Sequence, residues 1–444
     1  MTPSPPACGG SGMATEPWPE VPFPEAIDFQ EGPGILAKDF REQGVPLVRL
    51  SGLERGGSVL KGCNYLDPAM VKQRWSHFGL QSGDILLSSS ASLGRIAVVG
   101  HDGVGAIPYT GIIRMRPRNE RVYAPFIRYL LEAPDFQRQA EIAGVGSVMR
   151  HFGPMHLRRM IVRLPRLESQ RAIAHILGTL DDKIELNRGM NETLEAIARA
   201  LFKSWFVDFD PVRAKSEGRD PDLPPHLTDL FPDSFEDSEL GEIPTGWRVS
   251  GLDEIATYLN GLALQKYPSD DDGSLPVVKI AQLRADHTDG ADRASAGIPP
   301  TYVIEDGDVL FSWSGSLEVE IWSGGRGALN QHLFKVTSDR FPKWFYFLWT
   351  RHYLADFRGI AAGKATTMGH IQRGHLSAAR VVVPPPRLVQ AMSAHLDPLF
   401  GALVARRLQC RTLTALRDTL LPSLVSGELR VKSGPYSQAA RGHA

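Results

Sequence analysis

The chain has 444 residues, 42% of them apolar, which is enough for roughly two to four domains with cores of their own. The formal net charge of −1 neither supports nor excludes a nucleic-acid partner. Cys8, Cys63 and Cys410 are far apart and lack ligand spacing, so no metal site or disulfide framework is legible and a reducing cytosol is the better setting. No apolar run approaches about 18 residues, so no membrane span is expected.

Residues 1–15 are rich in Pro, Gly and Ser and read as a disordered tail, not a signal peptide. Residues 16–166 read as one α/β domain. Strand-like runs occur at Pro46–Leu50, Asp84–Ser88, Arg95–Val99 and Ile112–Met115, and helical character at Ala124–Glu141. Its later part, Thr110–Arg166, carries 11 arginines against four acids. Residues 167–207 form a long helix. Its apolar positions Ile173, Leu177, Leu180, Ile184, Leu194, Ala198, Leu201 and Trp205 follow heptad steps once Asn187 and Asn191 are included. A seam of that length, about 55 Å, needs a partner, and two asparagines within it can fix register.

Residues 208–240 are acidic and proline-rich, which reads as a linker. Residues 241–386 repeat the strand order of the first domain: Pro276–Ile280 answers Pro46–Leu50, and Gly307–Leu310 answers Gly83–Leu86. Residues 387–427 form a second long helix through Met392, Leu396, Leu399, Leu403, Cys410, Leu413, Leu420 and Leu424, and 428–444 read as a flexible tail. The fold class is therefore α+β. Two mixed α/β domains are separated by two long helices that pair as an antiparallel coiled coil, with pseudo-two-fold symmetry.

The repeat is legible residue by residue. Gly144, Ser147, Met149, His151, His156, Leu157, Val162 and Pro165 reappear as Gly363, Thr366, Met368, His370, His375, Leu376, Val381 and Pro384. A pseudo-dimer suits a target that has two halves.

A catalytic centre is not legible. Gly359–Thr366 resembles a phosphate loop, but it has three residues between its glycines and Ala365 where a hydroxyl is required. No Asn/Asp-Pro-Pro-aromatic motif of an amino-methyltransferase is present. Asp208, Asp210 and Lys215 read as solvated linker charge, and His151 and His370 lack companion ligands at metal spacing.

Both domains place hydroxyl-rich runs after a strand, Ser88–Ser92 and Ser312–Ser316. The candidate DNA-contacting residues are Ser88, Ser90, Ser92, Arg95, Arg114, Ser147, Arg150 and His151 in the first domain. In the second they are Ser312, Ser314, Asn330, Gln331, Lys364, Thr366, Thr367 and His370. Arg suits guanine edges, Asn and Gln suit adenine, and hydroxyls and cations suit phosphates. The candidate helix-interface residues are Ile173, Leu177, Leu180, Ile184, Asn187, Leu194, Leu201, Leu396, Leu399, Leu403, Leu413 and Leu420.

The run Pro165–Ile173 (PRLESQRAI), continuing through Leu180–Ile184 (LDDKI) and closing with Leu201–Lys215 (LFKSWFVDFDPVRAK), resembles the central conserved region of type I restriction–modification specificity subunits. Gly241–Trp247 (GEIPTGW) resembles the start of that family's second target recognition domain. The resemblance implies that each globular domain reads one half of a split double-stranded DNA site and that the paired helices act as a ruler. It also implies docking of two methyltransferase subunits and of motor–nuclease subunits. S-adenosylmethionine, ATP and Mg²⁺ would then be bound by those partners and no cofactor by this chain, which would work in the cytoplasm without catalysing a reaction. The distal helix departs from the pattern: Arg387–Gln390 (RLVQ) stands where Leu167–Gln170 (LESQ) stands in the first copy, without the acid. Two other readings stay open on the residues alone: a protein–protein scaffold of two α/β modules on a coiled coil, and a DNA-modifying enzyme with unrecognised motifs.

Overall fold

The computed structural model describes residues 18–89, 94–143, 152–269, 273–363 and 369–431. The chain divides into two compact units, Met1–Glu185 with Leu413–Ala444, and Leu186–Thr412. The proximal helix, Leu167–Phe206, and the distal helix, Pro386–Ser426, are each shared between the units. They therefore supply core to both units and do not form a domain of their own. Both tail expectations, 1–15 and all but the first residues of 428–444, lie outside the described residues.

In the first unit, one antiparallel sheet runs in the order Ile27–Glu31, Ile112–Pro117, Ile85–Ser88, Ile96–Val98. A second sheet runs Phe40–Arg41, Asn64–Leu66, Val45–Val48, Ile107–Pro108, its last pair parallel. The run Ile85–Leu87 shows why an unbroken apolar stretch makes a strand here. Ile85 and Leu87 enter one core with Phe126 and Leu130, while Leu86 enters another with Val48 and Val59. Alternate side chains point to opposite faces, and both faces are covered.

The second unit repeats this wiring. Thr257–Asn260, Leu333–Thr337, Val309–Ser312 and Val319–Ile321 form the equivalent antiparallel sheet. Val309 and Phe311 again face one core, and Leu310 the other. The other sheet keeps its parallel pair, Leu275–Val278 with Gly327–Leu329, but differs at the edges: Val303–Ile304 flanks the parallel partner, where the first unit instead adds Phe40–Arg41 at the far side. In both units a two-stranded ribbon, Glu20–Pro22 with Ile161–Arg163 and Arg248–Gly251 with Arg380–Val383, leads to a long helix.

The helical seam keeps half of the predicted interface residues buried (Ile173, Leu177, Ile184, Asn187, Leu396 and Leu403) and shifts at the others. In the first unit Ile173 and Leu177 are buried with Leu421, Leu424 and Val425 of the distal helix. Ile184 is buried, whereas Leu180 is only half-buried and its neighbour Asp181 takes the inward place. In the second unit Ala198 and Phe202 are inward with Leu396 and Phe400, while Leu194, Leu201 and Leu399 are half-buried and Leu403 is buried. Leu413 and Leu420 are half-buried, the inward places near them falling to Arg417 and Leu421. Asn187 Nδ2 donates to Gln409 Oε1 at 2.8 Å, which satisfies a buried seam asparagine with a distal-helix partner.

The conserved-looking motifs prove to be anchors. Gln170 is fully buried; its oxygen accepts from the Tyr123 amide, and its nitrogen donates to the carbonyls of Arg121 and Pro165, all at 2.8 Å. Gln390 in the distal helix is exposed. Phe206 packs on Trp247, Trp344 and Phe345, and Phe209 adopts a left-handed conformation (φ 57°) that ends the helix and turns its ring onto Trp247.

The acidic segment 208–240 is not an extended linker. Asp210–Ser216 is helical, Phe235–Ser238 pairs with Gly241–Pro244, and Val212 and Phe231 are buried in the second unit's core. Lys215 donates to the carbonyls of Thr228 and Phe231, tying the segment together. Acids dominate its composition because they face water, while a few apolar residues hold it down. Among the described residues, Pro386–Ser426 holds a window of mean hydropathy 1.2, apolar enough by length and composition to cross a membrane. Met392, Leu396 and Phe400 of that helix are instead part of the second unit's core.

The seam makes unequal demands on two adjacent-looking leucines. Leu177→Ala should cost about 3 kcal/mol and Leu180→Ala less than about 1.5 kcal/mol, read from urea unfolding. Equal costs would return Leu180 to the seam.

Candidate nucleic-acid interface

In each unit the strand that carries the hydroxyl run ends beside the segment that leads back to the long helix. Ser88 N donates to Arg95 O at 2.9 Å, Ser89 N to Gly111 O at 2.8 Å, and Phe152 N to Ser89 O at 3.1 Å. The flanks of 90–93 and 144–151 therefore converge on Ser89. The second unit builds the same junction: Ser312 N donates to Glu318 O at 2.9 Å, Trp313 N to His332 O at 3.3 Å, and Ile371 N to Trp313 O at 3.0 Å. Gly315 N adds a bond to Gly369 O at 2.8 Å, and Ser314 bridges His370. Segments more than fifty residues apart in sequence are thus brought to one end of each sheet.

Ser90, Ser92, Ser147, Arg150, His151, Lys364, Thr366 and Thr367 lie outside the described residues. The remaining candidates fall into two groups. Ser88, Ser312, Ser314, Asn330 and Arg114 are buried, and each has polar partners within the chain. The Ser88 hydroxyl accepts from Arg95 N at 2.9 Å. The Ser312 hydroxyl donates to Ser316 O and accepts from Glu318 N, each at 2.7 Å, which closes the turn after its strand. Ser314 Oγ bonds His332 Nδ1 at 2.9 Å, and Asn330 Oδ1 accepts from His332 N at 3.2 Å. Arg114 stands in mid-sheet with its Nη2 on Asp28 at 2.8 Å; burial, aided by Arg116, pulls its pKa down.

The second group remains accessible. Arg95 is exposed, and Gln331 and His370 are half-buried. Gln331 and His370 flank Trp313, a residue the sequence reading passed over as part of a serine run. Trp313 Nε1 donates to Asn260 Oδ1 at 2.9 Å and to Gln331 O at 3.2 Å, and its ring meets those of His332, Phe334 and His370 at 5.9–6.3 Å. The exposed Arg373 lies over Phe334 at 6.0 Å.

The first unit has no tryptophan in the equivalent place. Glu31 Oε1 accepts from Gly111 N at 3.1 Å, and the Arg49 guanidinium lies 4.1 Å from the Tyr109 ring centre and 5.6 Å from that of Phe40. An aromatic interleaved with the hydroxyls (Ser312-Trp313-Ser314) was the signal available for the one, and an arginine ending a strand for the other. One junction therefore offers an aromatic–imidazole–amide set and the other a carboxylate with stacked arginine. Such sets suit base edges and phosphates of different sequence. Among the described residues no group of three His, Cys, Asp or Glu could hold a metal ion.

Residues 71–196 match the family described as type I restriction modification DNA specificity domain. The chain is 26% identical over 361 residues to the type I restriction enzyme MjaIX specificity subunit of Methanocaldococcus jannaschii, covering 79% of this chain and 78% of that protein. It is 24% identical over 405 residues to the HindI specificity subunit of Haemophilus influenzae, covering 79% and 87%. It shares the fold of the type I restriction-modification system S subunit from M. genitalium, with a TM-score of 0.53 at 13% identity, covering 93% of this chain and 97% of that one.

The two groups of candidates separate by stability. Ser312→Ala should cost about 1–2 kcal/mol because two backbone groups lose the buried hydroxyl that closes the turn, whereas Arg95→Ala should stay within about 0.5 kcal/mol. A Ser312→Ala protein as stable to heat as the parent would return that hydroxyl to the reading surface.

Proposed function

We propose that this chain is a type I restriction–modification specificity subunit, the non-catalytic DNA reader of such a complex, recognising an asymmetric bipartite site. The observation that carries this reading is the pair of loop junctions with the same backbone wiring and different side chains. A shared frame gives two recognition modules, and unlike furnishings give two unlike half-sites. Arg95 in one unit, with Gln331 and His370 in the other, are the accessible residues through which each half is read. Two methyltransferase subunits dock on the helices, and motor–nuclease subunits join for restriction. S-adenosylmethionine, ATP and Mg²⁺ are bound by those partners, and the complex works on cytoplasmic double-stranded DNA.

A complex of this chain with its methyltransferase subunits should bind its DNA in a strongly salt-dependent way. Contact with six or more phosphates lowers affinity by about 10³-fold or more between about 50 and 200 mM salt. Gln331→Ala should relax selectivity in one half-site only, by about 1–3 kcal/mol for a lost bidentate base contact. Fluorescence anisotropy against half-site variants measures both. Binding indifferent to sequence would support a protein scaffold instead.

A further inference from the structure

Each unit contains an ionic cluster where its sheet domain meets the long helices. In the first unit the centre is a carboxylate on the proximal helix. Asp181, with a side chain 5% exposed, receives Arg417 Nη1 of the distal helix at 2.9 Å. From the sheet domain it receives the Tyr129 hydroxyl at 3.0 Å and, as ion pairs, Arg128 at 3.2 Å and Arg55 at 3.5 Å. Glu132 in turn holds Arg55 Nη2 at 2.5 Å. Burial, reinforced by Asp181, raises the Tyr129 pKa, so the phenol stays a donor.

In the second unit the centre is basic and lies on the distal helix. Arg407 reaches Glu195 of the proximal helix at 2.9 Å, and Glu320 and the carbonyl of Ile321 in the sheet domain at 3.1 and 2.8 Å; Glu195 also receives Arg351 of the sheet domain at 3.3 Å. One turn on, Arg411 grips Asp306 with both ends of its guanidinium, each at 2.8 Å, and holds that carboxyl below its usual range.

Apolar contacts tolerate sliding and rotation, whereas forked arginine–carboxylate pairs are directional. Such clusters add little to stability once desolvation is counted, and specificity of arrangement is their best-attested use.

We propose that Asp181, Arg407 and Arg411 are positioning residues: the ionic seats they build orient each DNA-reading domain on its own helical segment, and so set the spacer length the protein accepts. This rests on the reading of the chain as a bipartite DNA reader. None of the three touches the loop junctions where bases are read, so disturbing them changes tolerance for spacing without changing which bases are preferred.

The test uses the full chain assembled with its methyltransferase subunits. Methylation is compared on duplexes that carry the wild-type spacer and spacers one base pair shorter or longer. Arg411→Glu should reduce discrimination between them by about tenfold, within what a misplacement of about 1 Å costs in rate. The half-site bases selected from randomised duplexes should stay the same. Adding Asp306→Arg should recover most of the discrimination. Arg219→Glu, which breaks the exposed pair with Glu217 in the 208–240 segment, should have no effect. Arg411→Lys keeps the charge but loses the fork; it should lower discrimination several-fold, and it decides the question if Arg411→Glu does not assemble. Unchanged discrimination in an assembled Arg411→Glu or Arg411→Lys complex, no recovery with Asp306→Arg, or altered half-site bases would overturn the proposal. A wild-type complex that methylates no bipartite site would overturn the DNA-reader reading itself, and the seats' role with it.

Discussion

A forty-residue helix cannot leave an apolar stripe in water, and burial of that stripe is the constraint on which the rest of this structure depends. Each long helix meets it by dividing its length between two units. Ile173 and Leu177 enter one core with Leu421 and Leu424, and Ala198 and Phe202 enter the other with Leu396 and Phe400. The sheets are then built around helix segments that already carry partners. The ribbon before each long helix, the buried Gln170 and the aromatic group around Phe206 all serve that attachment. The loop junctions around Ser89 and Trp313 are left at the sheet ends.

Much of this was legible in the sequence, and the rest was hidden for physical reasons. Strand order, the repeat and both long helices could be read because periodicity and turn residues are local signals. The inward place of Asp181 could not, because its burial depends on Arg55 and Arg417, 126 and 236 residues away. A buried charge looks like a surface charge until its partners are known. The segment 208–240 misled for the opposite reason: many outward acids mask Val212 and Phe231, which hold it to the core. The serines after each strand marked the right end of each sheet. Pattern could not distinguish a hydroxyl that closes a turn, such as Ser312, from a residue that faces outward.

The two units agree in backbone and differ in edges. Both keep the central antiparallel sheet and one parallel pair in the second sheet, yet the strand flanking that pair changes sides. Around the shared loop junction, Trp313 and His332 in one unit face Ser89 and Gly111 at the equivalent positions in the other. The backbone wiring is shared, while the side chains around the junction differ.

Genome-wide mapping of methylated adenines, after co-expression of the chain with its methyltransferase subunit, tests the central claim most directly. The account predicts one motif made of two unlike half-sites at a fixed separation, absent when this chain is omitted. A palindromic or undivided motif, or none, would contradict it.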